Sequence, residues 1–343
     1  MKNQELRKAP LLKGNLSSFS KREIVEAIQK GNLLAAYIET KGGCTLKCPF
    51  CYTAGWKNDG RERSLKLEEM KKIVDVVREF GAKSIIIAGK GEPLLDPALL
   101  PLTEYNTKKG LWTVIFTNTT TLTEEIAKHL YSLNTTIIAK LGSLNPEKQD
   151  YMVGVPGAHE KIWRGLELLL EAGFRQPRLG VDVTILRSNI NETESIWRYL
   201  RTREIIPYIE PLIIEGAAKE WTALDTETVS LEEIYSLFKK LKKIDAEEYG
   251  YELHIDSTRT PGTLGCGEIK RPLIAITIRS NGDVGLCVNA DRRNAIGNIF
   301  EGMNGINDII INLKRIIEMR RSFYQQFNLC SESCMGVLRK NEK

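Results

Sequence analysis

Along the first two thirds of the chain, short apolar runs rich in β-branched residues alternate with longer stretches in which apolar residues recur every three or four positions. The runs Leu34 to Glu39, Lys83 to Ala88, Trp112 to Thr117, Thr136 to Leu141, Leu179 to Ile185 and Ile209 to Ile214 read as six strands. Between the first two, Leu67 to Phe80 places Met70, Ile73, Val74 and Val77 on one helical face. Thr123 to Leu133, Ala158 to Ala172 and Glu192 to Arg203 repeat that spacing. Strands alternating with helices specify an α/β fold with a parallel sheet, whose chemistry sits at the carboxyl ends of the strands. The loops after each strand are therefore the places to look for function.

After Gly216 the pattern changes. A polar helix, Leu231 to Glu248, leads to a β-hairpin of Leu273 to Arg279 and Asp283 to Val288, with Asn281-Gly282 as its tight turn, and a last helix covers about Asn307 to Phe323. The expected organisation is an N-terminal extension (1–32), an α/β core (33–216), a helical bridge (217–260) and a smaller C-terminal domain of hairpin plus helix (261–343).

Composition narrows the function. The 49 basic and 44 acidic residues nearly cancel, and no block of like charge provides an electrostatic footprint for nucleic acid or an anionic bilayer. The longest apolar runs, such as Ile85 to Ile87, fall far short of the roughly 18 residues of a membrane helix. The start, Met1-Lys2-Asn3-Gln4-Glu5, lacks the apolar core of a signal peptide, so a cytoplasmic location is expected. In a reducing compartment the seven cysteines argue for metal ligation over disulfides, and their odd number pairs poorly. They fall into two groups, Cys44, Cys48 and Cys51, then Cys266, Cys287, Cys330 and Cys334.

The first group follows the first strand in a loop opened by Gly42 and Gly43. Three thiolates at these spacings wrap one face of a metal or cluster and leave a coordination position vacant. A structural zinc wants a fourth ligand, and His129, His159 and His254 all lie far from the loop in sequence. This loop resembles the CxxxCxxC signature of the radical S-adenosylmethionine superfamily, with Phe50 as its aromatic residue before the third cysteine. The resemblance implies a partial (β/α)6 TIM-type barrel. It also implies a 4Fe-4S cluster on Cys44, Cys48 and Cys51 that chelates S-adenosylmethionine and cleaves it to methionine and a 5'-deoxyadenosyl radical.

Further elements extend the likeness. Gly89-Lys90-Gly91-Glu92-Pro93, after the second strand, is similar to the GGEP element that holds the methionyl ammonium, with Lys90 in place of a small residue. Asn118, Ser143 and Arg187 fall just past strands where the family contacts the rest of the cofactor, while Lys140 is either a substrate contact or a solvated strand end. The four C-terminal cysteines suit zinc or a fully ligated iron-sulfur cluster, which spacing alone does not separate. With Gly282 and Cys287 they resemble the shorter, twitch form of the SPASM extension, which implies one auxiliary 4Fe-4S cluster. The function so implied is hydrogen abstraction from a small-molecule or peptide substrate, then oxidation through the auxiliary cluster, with an external electron donor such as flavodoxin or ferredoxin. Alternatives are a peptide maturase forming a crosslink and, in a different class, an iron-sulfur electron carrier or scaffold.

Overall fold

The computed structural model describes residues 6–40, 42–54, 64–253, 271–288 and 295–327. Six parallel strands follow one another in sequence order: β1 (Ala35–Ile38), β2 (Ser84–Ile87), β3 (Trp112–Thr117), β4 (Thr135–Lys140), β5 (Leu179–Ile185) and β6 (Ile206–Pro211). Helices α1 (Leu67–Glu79), α2 (Leu99–Lys108), α3 (Glu124–Ser132), α4 (Pro146–Val153), α5 (Ala158–Glu171) and α6 (Thr193–Thr202) lie in the crossovers. Side chains alternate across the sheet. Ile38, Ile87, Ile115, Ile137 and Val183 pack in one core, while Tyr37, Ile86, Val114, Ile138 and Tyr208 form a second cluster on the other face. At the carboxyl ends of β4 to β6 that second face turns polar, at Lys140, Asp182 and Glu210.

The structure departs from the sequence expectation in three respects. The last parallel strand is Ile206–Pro211, three residues earlier than Ile209 to Ile214, because it pairs Gly180 with Ile206 and Ile185 with Pro211. It is an edge strand, where Pro207 and Pro211 are tolerated despite lacking an N–H. The apolar run beyond it has a different use, since Leu212 packs in a small cluster with Phe50. Helices α2 and α4 were not anticipated. Pro101 and a weak apolar stripe mask α2, whereas Asn145 capping Lys148 N, with Pro146 behind it, is a helix start visible in sequence.

The third difference is the hairpin, whose strands are β7 (Ala275–Ile278) and β8 (Asp283–Gly285). Its connection is the three residues Ser280 to Gly282, closed by Gly282 N donating to Arg279 O and by Arg279 N donating to Asp283 O, with Gly282 at φ +87°. β7 also pairs in parallel with β1, residue for residue from Ala35–Ala275 to Ile38–Ile278. The hairpin and β9 (Gly297–Asn298) thus continue the core sheet, in the order β9-β8-β7-β1-β2-β3-β4-β5-β6. The last helix, α8 (Ile306–Phe327), packs on α1 and adds Ile309, Leu313 and Ile317 to the main core. Among the described residues no helix is long and apolar enough to cross a membrane.

The bridge helix α7 (Leu231–Glu248), found at the expected boundaries, is locked to α6 by a buried charge pair. Asp245 accepts from Arg201 Nη2 at 2.6 Å, from Arg201 Nε at 3.0 Å and from Trp197 Nε1 at 2.6 Å. Removing one partner strands the other charge in the dry interface, so Asp245→Ala is expected to lower unfolding free energy by about 3 kcal/mol. Urea denaturation of the purified variant checks this, and a loss under about 1 kcal/mol would mean that the interface relaxes around Arg201.

Candidate functional site

The cysteine loop leaves β1 and is held by backbone contacts with three other segments. Glu92 N donates to Gly43 O at 2.7 Å, Lys47 N to Val153 O at 2.9 Å and Ala217 N to Cys51 O at 3.0 Å. Gly91 makes the first contact possible. Its φ is +79°, and a Cβ there would collide with Gly43 O and lie 2.7 Å from Gly42 Cα. Phe50, buried among Met152, Leu186 and Leu212 and tilted against Trp221, anchors the loop from below.

The thiols differ in surroundings. Cys44 is exposed, and its Sγ lies 3.4 Å from Leu46 N and 3.5 Å from Asn118 Nδ2, both donors. Cys48 and Cys51 are half-buried, with Thr53 Oγ1 3.4 Å from Cys51 Sγ. Burial pushes the Cys48 thiol up to about 12, against the pull of Lys140 and with the help of Cys51, and it pushes Cys44 up as well. Coordination to a metal centre would bring such thiols to the thiolate form. Among the described residues no three Cys, His, Asp or Glu side chains converge on a single-ion position.

Glu92 is 3% exposed, and burial raises its pKa even though three protein donors reach its carboxylate. Thr117 Oγ1 and Leu94 N donate to Oε1, and Asn118 N donates to Oε2 at 2.7 Å. A carboxylate accepts about four hydrogen bonds, so one position remains for a ligand. The side chain therefore ties the loop after β3 to the one after β2 before it serves anything else.

The expected site residues divide cleanly. Gly89, Gly91, Glu92, Pro93 and Asn118 line one cavity with Cys44 and Cys48, and Cys51 lines an adjoining one that shares Cys48. Ser143 and Arg187 do not reach either. Ser143 is fully buried and donates to Glu192 Oε2 at 2.6 Å, and the exposed Arg187 is held in a bidentate pair by Glu233. Cys287 is half-buried just before Val288, which lines the cavity, while Cys266, Cys330 and Cys334 lie outside the described residues. Neither His129 nor His159 lines the cavity.

Lys140, left open by the sequence, belongs to the cavity with Asp182 and Glu210, which the sequence reading missed. Burial opposes its charge, but Asp182, Cys48 and Glu210 more than offset this and hold its pKa above the usual lysine value. A signal was available. Asp182 and Glu210 each interrupt an otherwise apolar strand, and charged residues are seldom buried without a role or a partner.

Residues 38–200 match the Radical SAM superfamily. Over 171 residues the chain is 29% identical to the AdoMet-dependent heme synthase of Methanosarcina barkeri, covering 50% of this chain and 48% of that one. It is 28% identical to a cofactor-modifying protein for tungsten-containing aldehyde ferredoxin oxidoreductase of Pyrococcus furiosus, over 48% and 47% of the two chains. The chain thus spans about half the length of these curated relatives. Among solved structures, Streptococcus suis SuiB bound to its precursor peptide SuiA shares the fold at TM-score 0.61 and 15% identity, over 83% of this chain and 64% of SuiB. The structure of anSMEcpe, solved with AdoMet and a peptide, shares it at TM-score 0.60 and 15% identity, over 88% of both chains.

Because a side chain at Gly91 collides with the cysteine loop, Gly91→Ala is expected to reduce iron retention after anaerobic reconstitution severalfold while leaving the far-ultraviolet circular dichroism intact. Iron content beside the spectrum checks it. Full iron loading would show that the two loops part without cost.

Proposed function

We propose, for a chain that carries a radical SAM domain over residues 38–200, that Cys44, Cys48 and Cys51 hold a 4Fe-4S cluster used to cleave S-adenosylmethionine and oxidise a small-molecule or peptide substrate. The observation that carries this reading is the common cavity of Cys44 and Cys48 with Gly89, Gly91, Glu92 and Asn118. When bound, the cluster supplies one electron to the sulfonium of S-adenosylmethionine, and the 5'-deoxyadenosyl radical so released takes a hydrogen atom from substrate. Around it, the bare backbone at Gly89 and Gly91 admits a ligand at close range. Glu92 offers its remaining acceptor position to the methionyl ammonium, and Asn118 orients toward Cys44. Ser143 and Arg187 are left out of this set because Glu192 and Glu233 hold them.

For the C-terminal cysteines we propose one auxiliary 4Fe-4S cluster on Cys266, Cys287, Cys330 and Cys334, the alternative being zinc. With all seven cysteines committed, no thiol is left to return hydrogen to a substrate radical. Held by those four cysteines, an auxiliary cluster would supply a one-electron acceptor, so that hydrogen abstraction followed by loss of one electron and one proton would amount to a two-electron oxidation of substrate. A small ferredoxin or flavodoxin suits the role of external donor. Peptide modification is the second reading, favoured by fold neighbours that were solved with peptides bound.

Reconstituted protein is expected to hold about eight irons, two four-iron clusters. A value near four with stoichiometric zinc would contradict the auxiliary cluster. Alanine at Cys44, Cys48 and Cys51 together is expected to abolish 5'-deoxyadenosine formation, measured by liquid chromatography after reduction with dithionite. An electron carrier forms none even as wild type, and this separates that class from an enzyme.

A further inference from the structure

The loop after β3 holds a side chain whose hydrogen bonds are complete before any ligand arrives. Asn118 is 6% exposed. Its Oδ1 accepts from Thr120 N at 3.0 Å and from Thr120 Oγ1 at 2.8 Å, while its Nδ2 donates to Thr45 Oγ1 at 3.1 Å and lies 3.5 Å from Cys44 Sγ. A side-chain amide has two N–H donors and two acceptor lone pairs, so every position is taken. Because a backbone N–H only donates, the contact with Thr120 N fixes which end of the amide is oxygen, and Nδ2 has to face the cysteine loop.

The hydroxyl protons complete the assignment. Thr120 Oγ1 gives its proton to Asn118 Oδ1, so across the 2.6 Å contact between the two hydroxyls Thr45 is the donor. Asn118, Thr45 and Thr120 thus close a ring of hydrogen bonds that uses one N–H of Nδ2 and leaves the other for Cys44 Sγ. The backbone bends to allow this. Thr119 stands at φ +61°, a left-handed conformation that β-branched residues rarely take. Its hydroxyl, 2.7 Å from Asn118 O and 3.1 Å from Ile162 O, holds it there, and Gly165 leaves it room, since a Cβ at Gly165 would meet Thr119 Cβ at 2.5 Å. Strain of this kind persists where the surrounding structure uses it to place a functional group.

We propose that Asn118 is a positioning residue for the first cysteine: it donates an N–H···S hydrogen bond to Cys44 and thereby raises the reduction potential of the cluster that Cys44, Cys48 and Cys51 hold, and its side chain does not contact S-adenosylmethionine. The proposal rests on the radical reading above for the presence of that cluster. Reduction adds one electron, and with it negative charge on the ligating sulfurs, so a donor aimed at sulfur in a dry site favours the reduced form over the oxidised one. Leu46 N, 3.4 Å from the same sulfur, belongs to the cysteine loop itself, whereas Asn118 is supplied from 74 positions further along the chain.

The test is an anaerobic titration of reconstituted protein with dithionite and redox mediators, following the low-temperature electron paramagnetic resonance signal that responds to S-adenosylmethionine. Asn118→Leu, which keeps the bulk and removes the N–H, is expected to shift the reduction equilibrium about tenfold toward the oxidised form, about 59 mV for a one-electron couple. Thr120→Val, which disturbs the same loop but leaves Nδ2 beside Cys44, is expected to shift it by less than about threefold. An unmoved potential in Asn118→Leu, or equal shifts in the two variants, would overturn the proposal. If Asn118→Leu fails to retain iron, wild-type protein carrying asparagine labelled with heavy nitrogen at the side-chain amide decides: a coupling of that nitrogen to the reduced cluster in pulsed resonance supports the hydrogen bond, and its absence defeats it. A wild type with no signal responsive to S-adenosylmethionine defeats the radical reading and the proposal together, while a responsive signal whose potential ignores Asn118 defeats the proposal alone.

Discussion

The site depends on one backbone crossing, at which the loop after β1 and the loop after β2 meet with no side chain between them. Gly91 accepts the carbonyl of Gly43 where any Cβ would overlap it, and Glu92 N closes the contact with a hydrogen bond. Glu92 then turns its buried carboxylate to Thr117 and Asn118, so a third loop, after β3, is tied to the same point. Asn118 in turn reaches Thr45 and Cys44 through its amide. Three strand ends are thereby fixed relative to one another, and the thiol that opens the motif is positioned by residues more than forty positions away.

A second constraint is electrostatic. A parallel sheet covered on both faces is a poor place for charge, and most of its inner face is apolar or aromatic. Lys140 and Asp182 are tolerated because register places them side by side, so each supplies the other's counter-charge. The same register sets Glu210 two residues beyond Tyr208, the partner of Asp182 on the adjacent strand. The polar end of an otherwise greasy surface is thus confined to the carboxyl ends of β4 to β6, beside the cysteine loop, where parallel α/β folds put their chemistry.

The C-terminal part of the chain is bound into this arrangement. β7 pairs with β1, the strand that delivers the cysteines, and α8 shares a core with α1. Arg320, fully buried, reaches back to the carbonyls of Gly31, Asn32 and Leu273 with its guanidinium. The chain leaving β8 passes Cys287 and brings Val288 into the cavity wall. Hairpin and core therefore share hydrogen bonds as well as a surface.

Much of this was legible in the sequence. Periodicity placed β3, β5 and α7 at their observed ends, because a buried strand and an amphipathic helix each impose a repeat on their own residues. The cysteine spacing and Gly91-Glu92-Pro93 marked the cavity, since their chemistry and backbone demands are local. What the sequence withheld are pairings between groups tens of residues apart. Ser143 and Arg187 stand after the right strands, yet Glu192 and Glu233 hold them, 49 and 46 positions further along the chain. Asp182 reads as an isolated charge until strand register sets it beside Lys140, and Glu210 until register sets it across from Thr184 at the same cavity. The shift of β6 and the joining of β7 to β1 have the same origin. Register and edge pairing are settled by which neighbours a strand meets in space, and a one-dimensional pattern of apolar residues does not carry that information.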